Sequence, residues 1–281
     1  MLRTRPRSVR SLLTLPALVA LVVSGLIAVT GSPAQAANWK KLTKLCIIKD
    51  TRIKENSGMS RSTYRRKTMF VHNDSGGGPQ FFALGAHCKT KAVFDVPGAP
   101  ARDWEDMATG PHHTLWFGDI GGNNPREVVN VVKVKEPRKL KSRDLDHTAY
   151  PLTYPDGAHN AETLLVHPRT GRVYVVTKSP QGGAIYRAPK TLDTAGPNTM
   201  KKLGDAPIGL TGGDFLRDGS RIAIRGYTKL YLYRSIKDTT PRMTRLPKAA
   251  QKGGEAIAFR RGGALVFGSE GVGKWVWKAK R

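Results

Sequence analysis

A unit made of an acidic residue and two short strand-like segments recurs five times along the chain. In each copy the acid precedes the first segment, a turn follows, and the second segment is rich in aromatic and β-branched residues. The acids are Glu55, Glu105, Glu162, Asp214 and Glu255, which stand 41 to 57 residues apart. Periods of this length, with about four strands each, are typical of β-propeller blades. The repeat therefore predicts an all-β fold, a five-bladed β-propeller, and it fits six blades less well.

The two ends of the repeat region predict how the propeller closes. Residues 37–54 precede the first acid and residues 256–281 follow the last one, and together they make about one more period. We therefore expect a strand near Cys46 to complete the last blade. Cys46 and Cys88 are the two cysteines of the chain, and a pair of cysteines in an exported protein most often forms a disulfide. A Cys46–Cys88 bond would fasten the closing strand to the first blade.

The N-terminus has the features of a targeting segment. Four arginines, an apolar run over residues 12–29 and the small residues of Ala34-Gln35-Ala36 follow one another in that order. This pattern predicts a signal peptide over residues 1–36 and a single propeller domain over residues 37–281. A membrane anchor stays open as an alternative, because the apolar run is close to spanning length. We expect a secreted monomer associated with the cell envelope, with no transmembrane segment once the signal peptide is removed.

The charge of the chain limits its partners. With 47 basic and 21 acidic residues, the formal net charge is +26. Such a charge favours an anionic cell-wall polymer, a phospholipid surface or a small anionic ligand. Nucleic acid is less favoured, because the basic residues are scattered and no known nucleic-acid-binding module is present.

Blade topology predicts which residues share one face. The acids begin the innermost strands, so we expect Glu55, Glu105 (or Asp106), Glu162, Asp214 and Glu255 to surround the top of the central channel. The second strands end on the same face, which adds an outer ring of Asp74, Asp119 and Glu270. His72, Lys178 and Arg225 also follow or end second strands, and we expect them to hold an anion. Close carboxylates require compensation: either Ca²⁺ binds among them, or Lys178 and Arg225 pair with them in an internal ion-pair network.

Several stretches resemble known proteins, among them Glu55-Asn56-Ser57-Gly58, His72-Asn73-Asp74-Ser75-Gly76, Asp103-Trp104-Glu105-Asp106, Ala161-Glu162-Thr163 and Gly254-Glu255-Ala256. Together they resemble a group of exported actinobacterial β-propeller proteins, across nearly the whole of residues 37–281. This resemblance implies the propeller fold and export. A looser likeness to calcium-centred propeller hydrolases, the apyrases and the SMP-30/gluconolactonase group, implies a channel Ca²⁺ that acts on a phosphoanhydride, phosphoester or lactone.

Common catalytic motifs are absent from the sequence. It has no CxxC, HxH or HExxH spacing, so a zinc site is not expected. Residues 268–275 approach a P-loop but lack the Ser or Thr after Lys274. Because no nucleophile motif is present, we favour a binding or scaffold protein with an acidic, calcium-occupied site. A metal-dependent hydrolase is the alternative.

Overall fold

A computed structural model describes residues 41–122 and 124–279 of the chain. The predicted signal peptide, residues 1–36, lies outside the described residues. In chain order the strands are β1 (Leu42–Ile47), β2 (Asn56–Arg61), β3 (Met69–Asn73), β4 (Gln80–Leu84), β5 (Thr90–Asp95), β6 (Trp104–Gly110), β7 (Thr114–Asp119), β8 (Val128–Lys135), β9 (Arg143–Asp144), β10 (His147–Thr153), β11 (Ala161–Val166), β12 (Val173–Thr177), β13 (Gly183–Arg187), β14 (Asn198–Thr199), β15 (Lys201–Ala206), β16 (Leu210–Phe215), β17 (Ile222–Gly226), β18 (Lys229–Tyr233), β19 (Arg242–Arg245), β20 (Ile257–Phe259), β21 (Leu265–Phe267) and β22 (Trp275–Ala279). Two short 3₁₀ turns, Ala86–Cys88 and Lys248–Ala250, complete the elements.

The strands form five sheets, which we number as blades 1 to 5. From the channel outwards they are β2-β3-β4-β5, β6-β7-β8-β10, β11-β12-β13-β15, β16-β17-β18-β19 and β20-β21-β22-β1. The short strands β9 and β14 pair in parallel with the outer strands of blades 1 and 2. The predicted five-bladed β-propeller is therefore confirmed. None of the described helices has the length and apolar character of a membrane span.

Blade 5 is built from both ends of the described chain. β1 pairs antiparallel with β22, from Leu42 opposite Ala279 to Ile47 opposite Trp275. Cys46 on β1 is bonded to Cys88 in the 3₁₀ turn between β4 and β5. The predicted closure and the predicted disulfide are both confirmed, and the disulfide joins blade 5 to blade 1.

The apolar core lies between neighbouring blades. Phe81 of blade 1 packs against Phe117 of blade 2 with ring centroids 5.1 Å apart, and Trp104 stacks on Phe117 at 4.4 Å. The second strands of the blades, such as β7 and β12, are covered on both faces by adjacent blades. Their residues are therefore almost all buried, and apolar and polar residues do not alternate strictly along them. This stacking of blades fixes which side chains reach the channel.

A buried carboxylate, Asp106, ties three blades together on the channel axis. Its Oδ1 accepts the Met107 N–H at 2.8 Å, and its Oδ2 accepts the N–H groups of Leu164 at 3.1 Å and Gly213 at 3.0 Å. These donors belong to blades 2, 3 and 4. Burial raises the pKa of Asp106 well above its usual value, and the three N–H donors oppose that shift.

Asp214 continues this bracing around the channel. Its Oδ2 accepts the Phe259 N–H of blade 5 at 2.8 Å and pairs with Arg61 Nη1 of blade 1 at 3.0 Å. Burial raises the pKa of Asp214 to about 6, and Arg61 opposes that shift. Asp106 and Asp214 together therefore bridge all five blades.

Candidate functional site

A β-bulge at the start of the first strand sets which side chains line the channel. In blades 1 to 4 the pairing of the first and second strands skips one residue, and these residues are Ser57, Glu105, Glu162 and Thr211. In blade 5 the Glu270 N–H bonds to Gly253 O, as the Asp74 N–H bonds to Glu55 O in blade 1. Glu255 is therefore the fifth member of the set. Bulges redirect side chains, and here they bring three glutamates to the channel top.

Two predicted ring members lie elsewhere. Glu55 stands two residues before the bulge of its blade, and its side chain is exposed. Asp214 stands three residues after Thr211, towards the opposite end of the channel, where it pairs with Arg61. The prediction that these two acids occupy the same position as the other three was wrong. It assumed that each acid lies at the same distance from the start of its first strand, and the bulge changes that distance. Ser57 and Thr211 occupy the equivalent positions.

The carboxylates that do meet at the channel top form a cluster that we call the acidic mouth: Asp74, Asp103, Glu105, Glu162, Glu255 and Glu270. Carboxylate oxygens of Asp74, Glu255 and Glu270 lie within 4.8 Å of one another, and so do those of Asp74, Asp103 and Glu105. Asp74 belongs to both groups. Sequence reasoning missed Asp103, although it lies within a motif already singled out, two residues before its bulge.

Asp119 was predicted to join the outer ring, and the structure places it apart. Its carboxylate is buried, pairs with Arg126 Nη1 at 2.9 Å and accepts the Asp103 N–H at 2.7 Å. This carboxylate is already compensated, so it braces the loop that carries Asp103.

Four acids of the mouth, Asp74, Glu105, Glu162 and Glu255, have raised pKa values. Burial raises the pKa of Glu105 to about 11, and the charges of Glu162 and Asp74 add to the effect. Burial likewise raises the pKa of Glu255 to about 8, and the charge of Glu270 is the second cause of this shift. Burial also raises the pKa of Asp74 to about 7. Like charges in a dehydrated site favour protonation or a bound cation.

Lys178 is the cation that the described residues contribute to this cluster. Its Nζ pairs with Glu162 Oε1 at 2.8 Å and donates to the Tyr227 hydroxyl at 3.0 Å. Tyr227 in turn donates to Glu255 Oε1 at 3.3 Å. Glu255 Oε2 is buried and has no hydrogen-bond partner among the described residues. An ion-pair network therefore exists, but it compensates only one part of the cluster.

The other two residues expected to hold an anion lie inside the blades. Arg225 is fully buried and donates to the carbonyl oxygens of Ala250, Ala256 and Gly268, which join blade 4 to blade 5. Burial lowers its pKa to about 10. Its side chain points from β17 towards the neighbouring blade instead of the channel, so the predicted pairing of Arg225 with the ring acids is wrong.

His72 is also fully buried, between Trp104 and Phe117, with ring centroids 5.7 and 5.9 Å away. Its Nδ1 lies 2.6 Å from Asn73 O, and burial lowers the pKa of His72 to about 4. The imidazole is therefore neutral near pH 7 and packs between blades 1 and 2. Neither His72 nor Arg225 is available to an anion at the channel top.

These pKa shifts predict how pH affects the metal-free protein. Above pH ~4.5, unfolded carboxylates are ionised, whereas folded Glu255 and Glu105 still hold protons. The folded state then binds more protons, so the free energy of unfolding falls as pH rises towards about 8, the pKa of Glu255. We expect the melting temperature in chelator to fall between pH 5 and pH 8 by more in the parent than in Glu105→Gln/Glu255→Gln. Parallel pH profiles for the two proteins would contradict the assignment.

Comparison with known proteins supports the fold. No protein-family model matches the chain, and no curated protein is similar to it in sequence. The soluble aldose sugar dehydrogenase of Escherichia coli, in its apo form, superimposes with a TM-score of 0.53 at 10% identity, covering 86% of this chain and 99% of that one. Two glucose dehydrogenase structures give a TM-score of 0.52 at 9% identity with the same coverage. At this identity the likeness shows a shared fold alone, and the resemblance to exported actinobacterial propellers stays a prediction.

Proposed function

We propose that this protein is an exported binding propeller whose acidic mouth holds Ca²⁺. The observation that carries the proposal is Glu255 Oε2, a buried carboxylate oxygen without a hydrogen-bond partner among residues 41–122 and 124–279. Within these residues one lysine, Lys178, pairs with the cluster of six acids, through Glu162. Burial, followed by the charges of neighbouring acids, raises the pKa of Glu105; a divalent cation would satisfy the Glu255 oxygen and offset the repulsion among these acids.

The donor set fits calcium better than zinc. All candidate ligand atoms are carboxylate oxygens, and neither group of acids contains a histidine or cysteine. Ca²⁺ takes about six to eight oxygen ligands in flexible geometry. The hydroxyls of Ser57 and Thr211 donate to backbone carbonyls, so we do not count them as ligands. Asp74, Glu105 and Glu255 are the ligands that we consider central.

A binding role has more support than hydrolysis. The hydrolase alternative needs a cationic group to hold an anionic substrate beside the metal. His72 and Arg225 are enclosed between blades, and Lys178 is paired with Glu162. A cation held by blades 1, 2 and 5 would instead fix the loops around the mouth, as in a rigid scaffold. The disulfide agrees with an oxidising compartment, and the basic charge with retention on an anionic envelope polymer.

The test is the melting temperature of the oxidised protein in EGTA and in excess Ca²⁺. At one hundred times the dissociation constant, a ligand adds about 2.7 kcal/mol, which corresponds to a rise of roughly 5–10 °C in a domain of this size. We expect Glu105→Gln and Glu255→Gln to lose this rise, because each removes a charged ligand.

Glu55→Gln is the matched control. It removes the same charge as the other two substitutions. The sequence pattern places Glu55 with Glu105 and Glu255, but in the structure Glu55 is exposed and lies outside the acidic mouth. It should keep the full calcium response. If the parent does not respond to Ca²⁺, or if Glu55→Gln abolishes the response as Glu105→Gln does, the proposed site is wrong.

A further inference from the structure

The end of the channel opposite the acidic mouth contains a strongly basic cavity. It has a volume of about 580 Å³ and lies among the turns that join the first and second strands of blades 1, 4 and 5, together with Arg169 from the turn of blade 3. Six arginines line it: Arg61, Arg66, Arg169, Arg217, Arg260 and Arg261. The five turns converge on the channel axis, so residues far apart in the sequence meet here.

Two further cavities extend this one sideways. A cavity of about 560 Å³ shares Arg61, Arg169 and Arg217 with it and adds Lys135. Another, of about 400 Å³, shares Arg66, Arg260 and Arg261 and adds Lys67 and Lys278. We call the three together the basic mouth. Their shared residues make one elongated surface, which suits an extended ligand better than a single small ion.

The positive charge of the basic mouth is largely uncompensated. Asp218 is the single carboxylate among the described lining residues, and it already accepts the N–H and hydroxyl of Ser220 at 2.9 and 2.6 Å. Arg61 is paired with Asp214. Within residues 41–122 and 124–279, none of the other five arginines forms an ion pair. Uncompensated cations held in a concave site attract anions strongly.

The side chains of the basic mouth indicate the chemistry of the anion. Guanidinium groups bind the oxygens of phosphates and carboxylates in a bidentate manner, and the described residues that line the central cavity include six arginines and no lysine. The described residues that line the central cavity include no aromatic side chain, so it offers no ring on which a nucleic-acid base could stack. His112 and His113 line the second cavity, where the His113 ring is already stacked on Tyr64 with centroids 4.1 Å apart.

We propose that the basic mouth binds a polymer of phosphate groups without aromatic bases, linked as anhydrides or as diesters. The site is independent of the acidic mouth and uses none of its residues. Several arginines in one elongated surface bind consecutive phosphates, so affinity depends on chain length and falls steeply as salt rises.

The experiment measures binding of long-chain inorganic polyphosphate to the full oxidised protein by titration calorimetry at two salt concentrations. Orthophosphate, a glycerol-phosphate polymer and oligodeoxythymidylate of equal charge are the comparison ligands. We expect both phosphate polymers to bind, orthophosphate to bind at least about a hundredfold more weakly per molecule, and the oligonucleotide to bind more weakly than either polymer.

The variant Arg169→Gln/Arg217→Gln/Arg261→Gln should weaken polyphosphate binding by at least about tenfold, because it removes three guanidinium groups from the cavity. The matched control, Arg143→Gln/Arg242→Gln/Arg245→Gln, removes the same charge from exposed outer strands. It should bind almost as the parent does. The conservative variant Arg169→Lys/Arg217→Lys/Arg261→Lys keeps the net charge of the protein. Its affinity for polyphosphate should lie between that of the glutamine cavity variant and that of the parent.

Three results would overturn the proposal. Equal weakening in the cavity variant and the control would show attraction by net charge alone. Equal affinity for the oligonucleotide would assign the surface to nucleic acid. Binding of the polymers without dependence on chain length would exclude an extended site. Because none of these measurements involves calcium, a failure here is distinguishable from a failure of the acidic-mouth proposal.

Discussion

Asp106→Ala should lower the free energy of unfolding by roughly 3–5 kcal/mol, the largest effect of a single substitution that we expect in this protein. The substitution leaves three buried N–H groups, those of Met107, Leu164 and Gly213, without an acceptor. An unsatisfied buried donor costs about 1–3 kcal/mol. Two of these three hydrogen bonds, those from Leu164 and Gly213, cross from blade 2 to blades 3 and 4, so the substitution weakens contacts between blades as well as blade 2 itself. Equilibrium unfolding in urea measures the change.

Two further substitutions make this result interpretable. Asp106→Asn keeps an acceptor oxygen but places an NH₂ group against backbone donors, so it should be destabilising as well, though less so. Asp218→Ala removes an exposed acid from a turn and should change stability by less than about 1 kcal/mol. If Asp106→Ala proved no more destabilising than Asp218→Ala, the central carboxylate would not brace the blades.

Replacement of both cysteines, Cys46→Ser/Cys88→Ser, should lower the free energy of unfolding by about 4 kcal/mol. The bond closes a loop with a sequence separation of 42 residues, and its loss returns conformational entropy to the unfolded chain. It also removes the covalent link of β1 to blade 1, so β1 is then held by its pairing with β22 and by the packing of Leu42 and Leu45. Urea unfolding of the variant and of the parent, each with and without reductant, measures the effect.

The reduced parent serves as the control for this double substitution. The free energy of unfolding of the reduced parent should equal that of the variant, and reductant should not change the free energy of unfolding of the variant. A loss of less than about 1 kcal/mol would mean that the β1–β22 pairing closes the propeller without help.

The sequence was sufficient to predict the blade number, the closing strand and the disulfide. The blade number and the closing strand depend on the period of the repeat and on the two ends adding up to one more period. The disulfide depends in addition on the chain having two cysteines and an export signal. None of these properties requires knowledge of side-chain direction. Where blades follow one another in a circle, the order of strands within a repeat determines the order in space. The positions of Cys46 and Cys88 on adjacent outer edges follow from that order.

The candidate site was only partly predictable, because the direction of a side chain changes with a single-residue bulge. Glu105, Glu162 and Glu255 share the bulge position, whereas Glu55 and Asp214 do not. No residue pattern in the sequence marks the bulge. His72 and Arg225 were misassigned for a related reason: alternate residues of a strand face opposite neighbouring blades, and a shift of one residue exchanges the two faces.

The basic mouth was missed although the sequence contains a signal for it. Four of the five turns between first and second strands carry at least one arginine, as in Arg66, Arg169, Arg217 and Arg260. In a linear reading these residues are scattered, which led us to treat the charge as diffuse. The acids were found by aligning the five repeats with one another. The same alignment, extended to the turn between the first and second strands, would have shown the arginines.

The closure of the propeller has a consequence for how the chain assembles. β22 is the last strand in chain order among the described residues, so β1 has no partner within blade 5 until the other four blades have been made. Cys46 and Cys88 are both made early, and the bond between them needs only blade 1. We expect this bond to keep β1 at the rim of the growing structure. Blade 5 then closes when the newly made β22 pairs with a β1 that the disulfide already holds near blade 1, which shortens the conformational search that the closure requires.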